Sequence, residues 1–158
     1  MRGKRAKKRT FEPDPIYHSP LLTRLINRVM KDGKKSLAQR LVYKALKQIE
    51  KETGKNPLQI FQKAVENVKP KMEVRPRRVG GAAYLVPMPV KGDRRISLAI
   101  RWLVLAARAR PNKEYHTFDA KLAAELLDAA RGEGGAVEKK NQVHRLAEAN
   151  KAFAHFRW

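Results

Sequence analysis

A chain of 158 residues suits one domain burying roughly 68–70% of its unfolded surface and is short for two. Its 36 Lys plus Arg against 15 Asp plus Glu give a formal charge of +21, a self-repulsion that a polyanionic partner relieves, while 42% hydrophobic residues exclude a disordered basic tail. The lack of cysteine excludes disulfides, thiolate nucleophiles and Cys-based zinc sites and makes the cytoplasm the expected compartment; with no apolar run of signal-peptide or bilayer length, neither secretion nor a membrane is expected.

Residues 1–10 carry Arg2, Lys4, Arg5, Lys7, Lys8 and Arg9 and no acid, and Pro13 and Pro15 follow. Residues 1–18 therefore read as an extended basic arm with nothing to bury, and residues 19–158 as a single helical domain. Ser19-Pro20 has the form of an N-cap with proline at the first helical position, and Leu21, Leu22, Leu25, Ile26, Val29 and Met30 recur at helical spacing until Gly33. A second stripe through Leu37, Leu41, Val42, Ala45, Leu46 and Ile49 stops at Gly54, a left-handed C-terminal residue by type. Asn56-Pro57 restarts the period through Leu58, Phe61, Ala64, Val65 and Val68, and Pro70 ends it.

Beyond Pro70 the period changes. Met72 and Val74 alternate with Glu73 and Arg75, and Tyr84, Val86, Met88 and Val90 alternate after Gly80-Gly81, so a β-hairpin is predicted at about residues 72–90. Pro76, Pro87 and Pro89 suit an isolated two-stranded ribbon, which at about eight residues would project on the order of 25 Å. Gly92-Asp93 opens a fourth helix through Ile96, Ala99, Ile100, Leu103, Val104 and Ala107 to near Pro111. A fifth covers Phe118, Leu122, Leu126, Leu127 and Ala130 up to Gly132, and a sixth runs through Val143, Leu146 and Ala147 to an aromatic tail, Phe153 to Trp158. The fold class is mainly α: about six helices, a protruding hairpin and a basic N-terminal arm.

Three constellations suit a nucleic acid. Arg75, Arg77 and Arg78 lie on the hairpin, the first two on one face, where guanidinium groups favour bidentate phosphate contact; gatekeeping against strand-edge aggregation is the competing role. Arg94, Arg101 and Arg108 recur every seventh residue, keeping one helix face with only about 20° of drift per repeat. With Arg95 and Trp102 beside them they form an RNA platform or a solvated stripe with snorkelling stems, and for Trp102 core packing competes with base stacking. At the helix-helix corner Asp32-Gly33-Lys34-Lys35, two lysines meet a helix N-terminus, which suits phosphate without P-loop glycine spacing. Chemistry is absent by motif: His18, His116, His144 and His155 are scattered, no nucleophile elbow occurs, and Glu66 is the acid set among apolar positions, where hydrogen bonding or capping accounts for it. No enzyme, no metal and no cofactor are expected.

Six strings then occur in order: Asp32-Gly33-Lys34-Lys35; Pro57 through Phe61 to Ala64-Val65-Glu66-Asn67-Val68-Lys69-Pro70; Arg77-Arg78-Val79-Gly80-Gly81-Ala82 with Tyr84 and Val86-Pro87; Arg101-Trp102-Leu103; Gly135-Ala136-Val137; and Asn150 through His155. Together, over nearly the whole chain, they resemble the small-subunit ribosomal protein seven family of bacteria and organelles. The resemblance implies about six helices with a protruding hairpin, as the periodicity does. It implies direct binding to the three-prime major domain of small-subunit rRNA, which nucleates assembly of the subunit head. It further implies that the hairpin and C-terminal region face the exit-site tRNA and the mRNA path, with Gly80, Gly81 and Tyr84 at the tip, and that small-subunit ribosomal proteins nine and eleven are partners. The RNA-binding positions carried over are Lys34, Lys35, Arg75, Arg77, Arg78, Arg94, Arg95, Arg101 and Trp102, while Lys4, Arg5, Lys8 and Arg9 rest on charge alone. A ribosome in an organellar stroma or matrix stays open beside the cytoplasmic one. The competing class is an architectural DNA-binding protein with a wing-like hairpin; such proteins usually pair on half-sites, and with no self-complementary apolar face marked, a monomer outside the ribosome is expected.

Overall fold

The protein is described from a computed structural model in which Gly3 and residues 12–157 are described; the expected contacts at Lys4, Arg5, Lys8 and Arg9 lie outside the described residues. Within the described part of the expected arm, the last few residues are not extended. Residues 15–17 form a turn, closed by the Asp14 carboxylate, which accepts from the amides of Ile16 at 3.2 Å and Tyr17 at 3.0 Å. Asp14 is buried at 2% exposure and takes the Tyr43 hydroxyl at 2.7 Å. Burial first, then that hydrogen bond and the carboxylate's charge, push Tyr43 up to about 12. A local Asx turn, followed by one distant hydroxyl, folds a segment whose prolines suggested extension.

Helix α1 spans Pro20–Val29, with the Ser19 side chain accepting from the Leu22 amide. It stops short of the expected Gly33 because the corner needs two left-handed residues, Asp32 at φ 52° and Gly33 at φ 71°. Helix α2 (Lys35–Thr53) ends on Gly54 at φ 63°, whose amide bonds the Glu50 carbonyl. Helix α3 (Pro57–Val68) starts on Asn56, whose side chain accepts from the Leu58 amide. Strands β1 (Met72–Val79) and β2 (Ala82–Pro89) form one antiparallel pair around Gly80 and Gly81, at φ 57° and 90°, the two positive dihedrals a tight hairpin turn requires. Helices α4 (Gly92–Ala109), α5 (Phe118–Arg131) and α6 (Gly135–Ala149) follow, and a C-terminal 3-10 helix covers Lys151–Phe156.

Helix α5 lies in the middle, against α2, α3 and α4, and its Leu122, Ala123, Leu126 and Ala129 are fully buried together with Phe61, Leu46, Ile49 and Leu103. Asn67 ties α3 to the end of α5 by donating to the carbonyls of Ala129 and Ala130 at 2.9 and 3.1 Å. The molecule is one mainly helical domain carrying a two-stranded hairpin. Among the described residues no helix is long and apolar enough to cross a membrane.

The hairpin is the separate two-stranded ribbon expected of it, with its strands packed against the helices rather than standing clear of them. Both strands pack on α6 and β2 also on the 3-10 helix, where the Tyr84 ring meets Phe153 and Phe156 with centroids 5.2 and 5.4 Å apart. Its register sets Glu73 opposite Met88, Arg75 opposite Val86 and Arg77 opposite Tyr84. The two apolar stripes read from the sequence therefore lie on opposite faces, and each face of the ribbon has something to bury. Val86 is fully buried, and in β1 the buried residue is Glu73, at 8% exposure.

Candidate nucleic-acid interface

Three elements meet at the hairpin base. The Val90 amide bonds the Lys71 carbonyl at 3.0 Å, the Lys71 amide donates to His144 Nε2 on α6 at 3.0 Å, and Arg95 Nε of α4 donates to the Pro70 carbonyl at 3.1 Å. Inside this corner sits the Glu73 carboxylate. Arg94 Nε reaches both of its oxygens at 2.9 Å and Arg94 Nη2 reaches Oε2 at 2.8 Å. Arg75 Nε lies 2.6 Å and Arg75 Nη2 2.5 Å from Oε1. The Glu73 side chain is only 10% exposed, against 45% for Arg75 and 52% for Arg94. Burial alone would raise the Glu73 carboxyl; the hydrogen bonds from Arg94 and Arg75, with their charges, outweigh it and hold it below the ordinary carboxylate value.

Helix α4 carries the positive charge away from that corner. Arg94, Arg101 and Arg108 are all exposed, and at about 1.5 Å per residue the first and last stand about 21 Å apart along one face. At the far end Arg108 Nη2 donates to the Val29 carbonyl at 3.1 Å, where a cation suits the negative end of α1. There the stripe meets the α1–α2 corner, where exposed Lys31 and Lys34 line a groove with Met30, Leu41, Arg108 and Phe118, and exposed Lys35 begins α2. At the near end Asp93 pairs with Arg24 at 3.2 Å. The arginine stripe thus joins the hairpin base to the lysine corner, and Arg94, Arg95 and Arg75 come together at one end.

Other expected site residues fall differently. Arg78, Gly80 and Gly81 are exposed at the outer end of the hairpin. Tyr84 is not in the turn but within β2, half-buried against the 3-10 helix. Trp102 is 9% exposed and belongs to the core; it borders an apolar surface groove with Leu105, Ala106 and Ala109, so the packing role holds and its ring is not presented for stacking. Glu66, the acid singled out by its apolar neighbours, points outward with its side chain 67% exposed and pairs with Lys69 at 2.5 Å. The acids that are enclosed, Asp14, Glu73 and Glu125, were not marked by their local sequence. For Glu73 a signal was available: a two-residue turn at Gly80-Gly81 fixes the register, which puts Glu73 opposite apolar Met88.

A family model described as ribosomal protein S7p/S5e matches residues 1–151 of the chain. Among similar proteins, the small ribosomal subunit protein uS7 of Kosmotoga olearia is 57% identical over 161 aligned positions, covering 100% of both chains. That of Caldicellulosiruptor bescii is 57% identical over 152 positions, covering 96% of each. That of Lactococcus lactis subsp. cremoris is 54% identical over 158, covering 100% of each.

Proposed function

The chain belongs to the ribosomal protein S7p/S5e family and is a small-subunit ribosomal protein, and from that premise we propose that it binds the three-prime major domain of small-subunit rRNA directly and nucleates assembly of the subunit head. The observation that carries this reading is the exposed stripe of Arg94, Arg101 and Arg108, which joins the arginines of the hairpin base to Lys34 and Lys35 at the α1–α2 corner. A rigid helix holding cations about 21 Å apart can contact several backbone phosphates at once, and folded RNA is recognised largely by shape and backbone. Arg77, Arg78 and Arg95 extend the same surface, and the N-terminal lysines and arginines add charge without register.

The same reading turns the exposed Gly80-Gly81 end of the hairpin towards the exit-site tRNA and the mRNA path, with Tyr84 and the 3-10 helix supporting it from behind, and has small-subunit ribosomal proteins nine and eleven as neighbours. The relatives are named as ribosomal proteins and not as enzymes, and the chain's role is structural. The test is binding of the full chain to the isolated three-prime major domain RNA at physiological salt, with an equal length of duplex DNA as competitor. Tight binding that resists the DNA supports site-specific recognition. Equal competition by DNA overturns it and favours generic, architectural binding.

A further inference from the structure

We propose that Glu73 is a positioning residue for RNA recognition, a buried carboxylate that locks Arg75 of the hairpin and Arg94 of α4 side by side as one preformed phosphate clamp. The inference rests on the reading of this surface as the rRNA-binding face and assigns a role to its one enclosed acid. Glu73 has 10% of its side chain exposed, while the arginines bound to it are 45% and 52% exposed. Each arginine spends its Nε edge on the carboxylate. A guanidinium has five N–H donors, so each keeps its Nη1 donors for a ligand. The cluster holds two positive charges against one negative, and its net charge of +1 is anionophilic.

The chemistry recognised is an RNA backbone phosphate. It is planar-donor recognition of the kind arginine performs and lysine does not. The geometry also explains why an acid sits at the centre of a positive face. Two like-charged guanidinium groups from different elements repel one another, and Glu73 cancels that repulsion before any ligand arrives. Two long side chains held in place in advance are spared the ordering each would otherwise undergo on binding, an affinity gain on the order of tenfold.

The test reverses the sign expected from charge alone. In a protein of formal charge +21, deleting an acid should leave affinity for RNA unchanged or raise it, and Glu133→Gln, in the exposed α5–α6 connection, is expected to do so. Glu73→Gln is expected to weaken binding to the three-prime major domain RNA by about tenfold. Because Glu73→Gln could also loosen the hairpin, the same change is made in an Arg75→Gln/Arg94→Gln background. If Glu73 acts through the two arginines, its loss there costs no further affinity. An equal loss in both backgrounds makes Glu73 a scaffold of the hairpin and overturns the clamp, as does a Glu73→Gln chain that binds as tightly as the parent. Failure of the unaltered chain to bind the RNA overturns the underlying reading instead, so the two failures are distinguishable.

Discussion

Two arginine–carboxylate clusters lie at the two ends of α4, and they are built in opposite proportions. At the N-terminal end two arginines share Glu73, and both arginines are about half exposed. At the C-terminal end one arginine is shared by two acids. Arg110 pairs with Glu125 at 2.8 Å and with Asp128, and is only 15% exposed. Its ring neighbour Tyr115 lies under the guanidinium at 5.4 Å, and its carbonyl takes Lys121 Nζ at 2.5 Å. The other oxygen of Glu125 accepts the Ala136 amide at 2.9 Å, so the cluster fastens the α4–α5 loop to the start of α6. There the charges are paired with one another, and Asp128, at 31% exposure, is the one that reaches solvent most. At Glu73 positive charge and donors are left over and face solvent. The ratio of cations to anions, read together with exposure, separates a surface made to bind from one made to hold the fold.

The largest effect that tests this contrast is on stability. Glu125→Ala leaves the nearly enclosed Arg110 with one carboxylate partner, Asp128, and the Ala136 amide without its acceptor, and removing one member of a buried pair costs about 3–5 kcal/mol. Thermal or denaturant unfolding should register that loss, while the RNA affinity of the remaining folded protein stays at the parent value. A Glu125→Ala chain that folds normally and binds RNA poorly would break the contrast. Next comes Arg101→Ala. Arg101 is exposed in the middle of the stripe, so stability should move by no more than about 0.5 kcal/mol. Affinity should fall by about tenfold, and the log-log salt slope should become shallower by about 0.7–0.9 for the one lost phosphate contact. A changed melting temperature with unchanged affinity would put Arg101 in the fold rather than the interface.

A smaller effect is expected in acid. The folded-state value of Glu73 lies below its ordinary 4.5, so the native state gives up this proton more readily than the unfolded one. Its contribution is complete above the ordinary value and is lost as the pH falls through the depressed one. Between the ordinary value and the depressed one, the stability of the Glu73→Gln chain should therefore fall less steeply with acid than that of the parent. Equal steepness would mean the two arginines do not stabilise the charged form.

The helices and the hairpin were legible because their signals are local. Ser19-Pro20, Gly54 and Asn56-Pro57 are caps whose chemistry acts within one turn, and Gly80-Gly81 is a turn whose dihedrals only glycine takes easily. The clusters were not legible, because their partners are far apart along the chain: Glu73 meets Arg94 across 21 residues and Asp14 meets Tyr43 across 29. Apolar neighbours in sequence drew attention to Glu66, yet in a helix the adjacent position faces another side, and the residue points to solvent. For the same reason the heptad of arginines on α4 could be read and the burial of Trp102 one position from Arg101 could only be posed as an alternative.

The smallest expected effect concerns the joint that supports the clamp. His144 on α6 accepts the Lys71 amide at the foot of β1 through Nε2, a bond that only the ring nitrogen without a proton can accept. Burial first, then the charges of Lys140 and Lys71, lower the His144 value below 6.5. The folded state thus resists protonation more than the unfolded state does. Its contribution is complete above the ordinary value of 6.5 and is lost as the pH falls from there through the depressed value. Once the ring is protonated, Nε2 becomes a donor and the Lys71 amide loses its partner, so the hairpin base loosens from α6 while the core around α5 is untouched. Hydrogen exchange at the Lys71 amide, corrected for its intrinsic rate, should lose protection as the pH falls from above 6.5 through the depressed His144 value, whereas amides inside α5 should not. Equal protection at both ends of that range would mean that the ring does not hold the hairpin, and that Arg95 and Glu73 anchor its base without it.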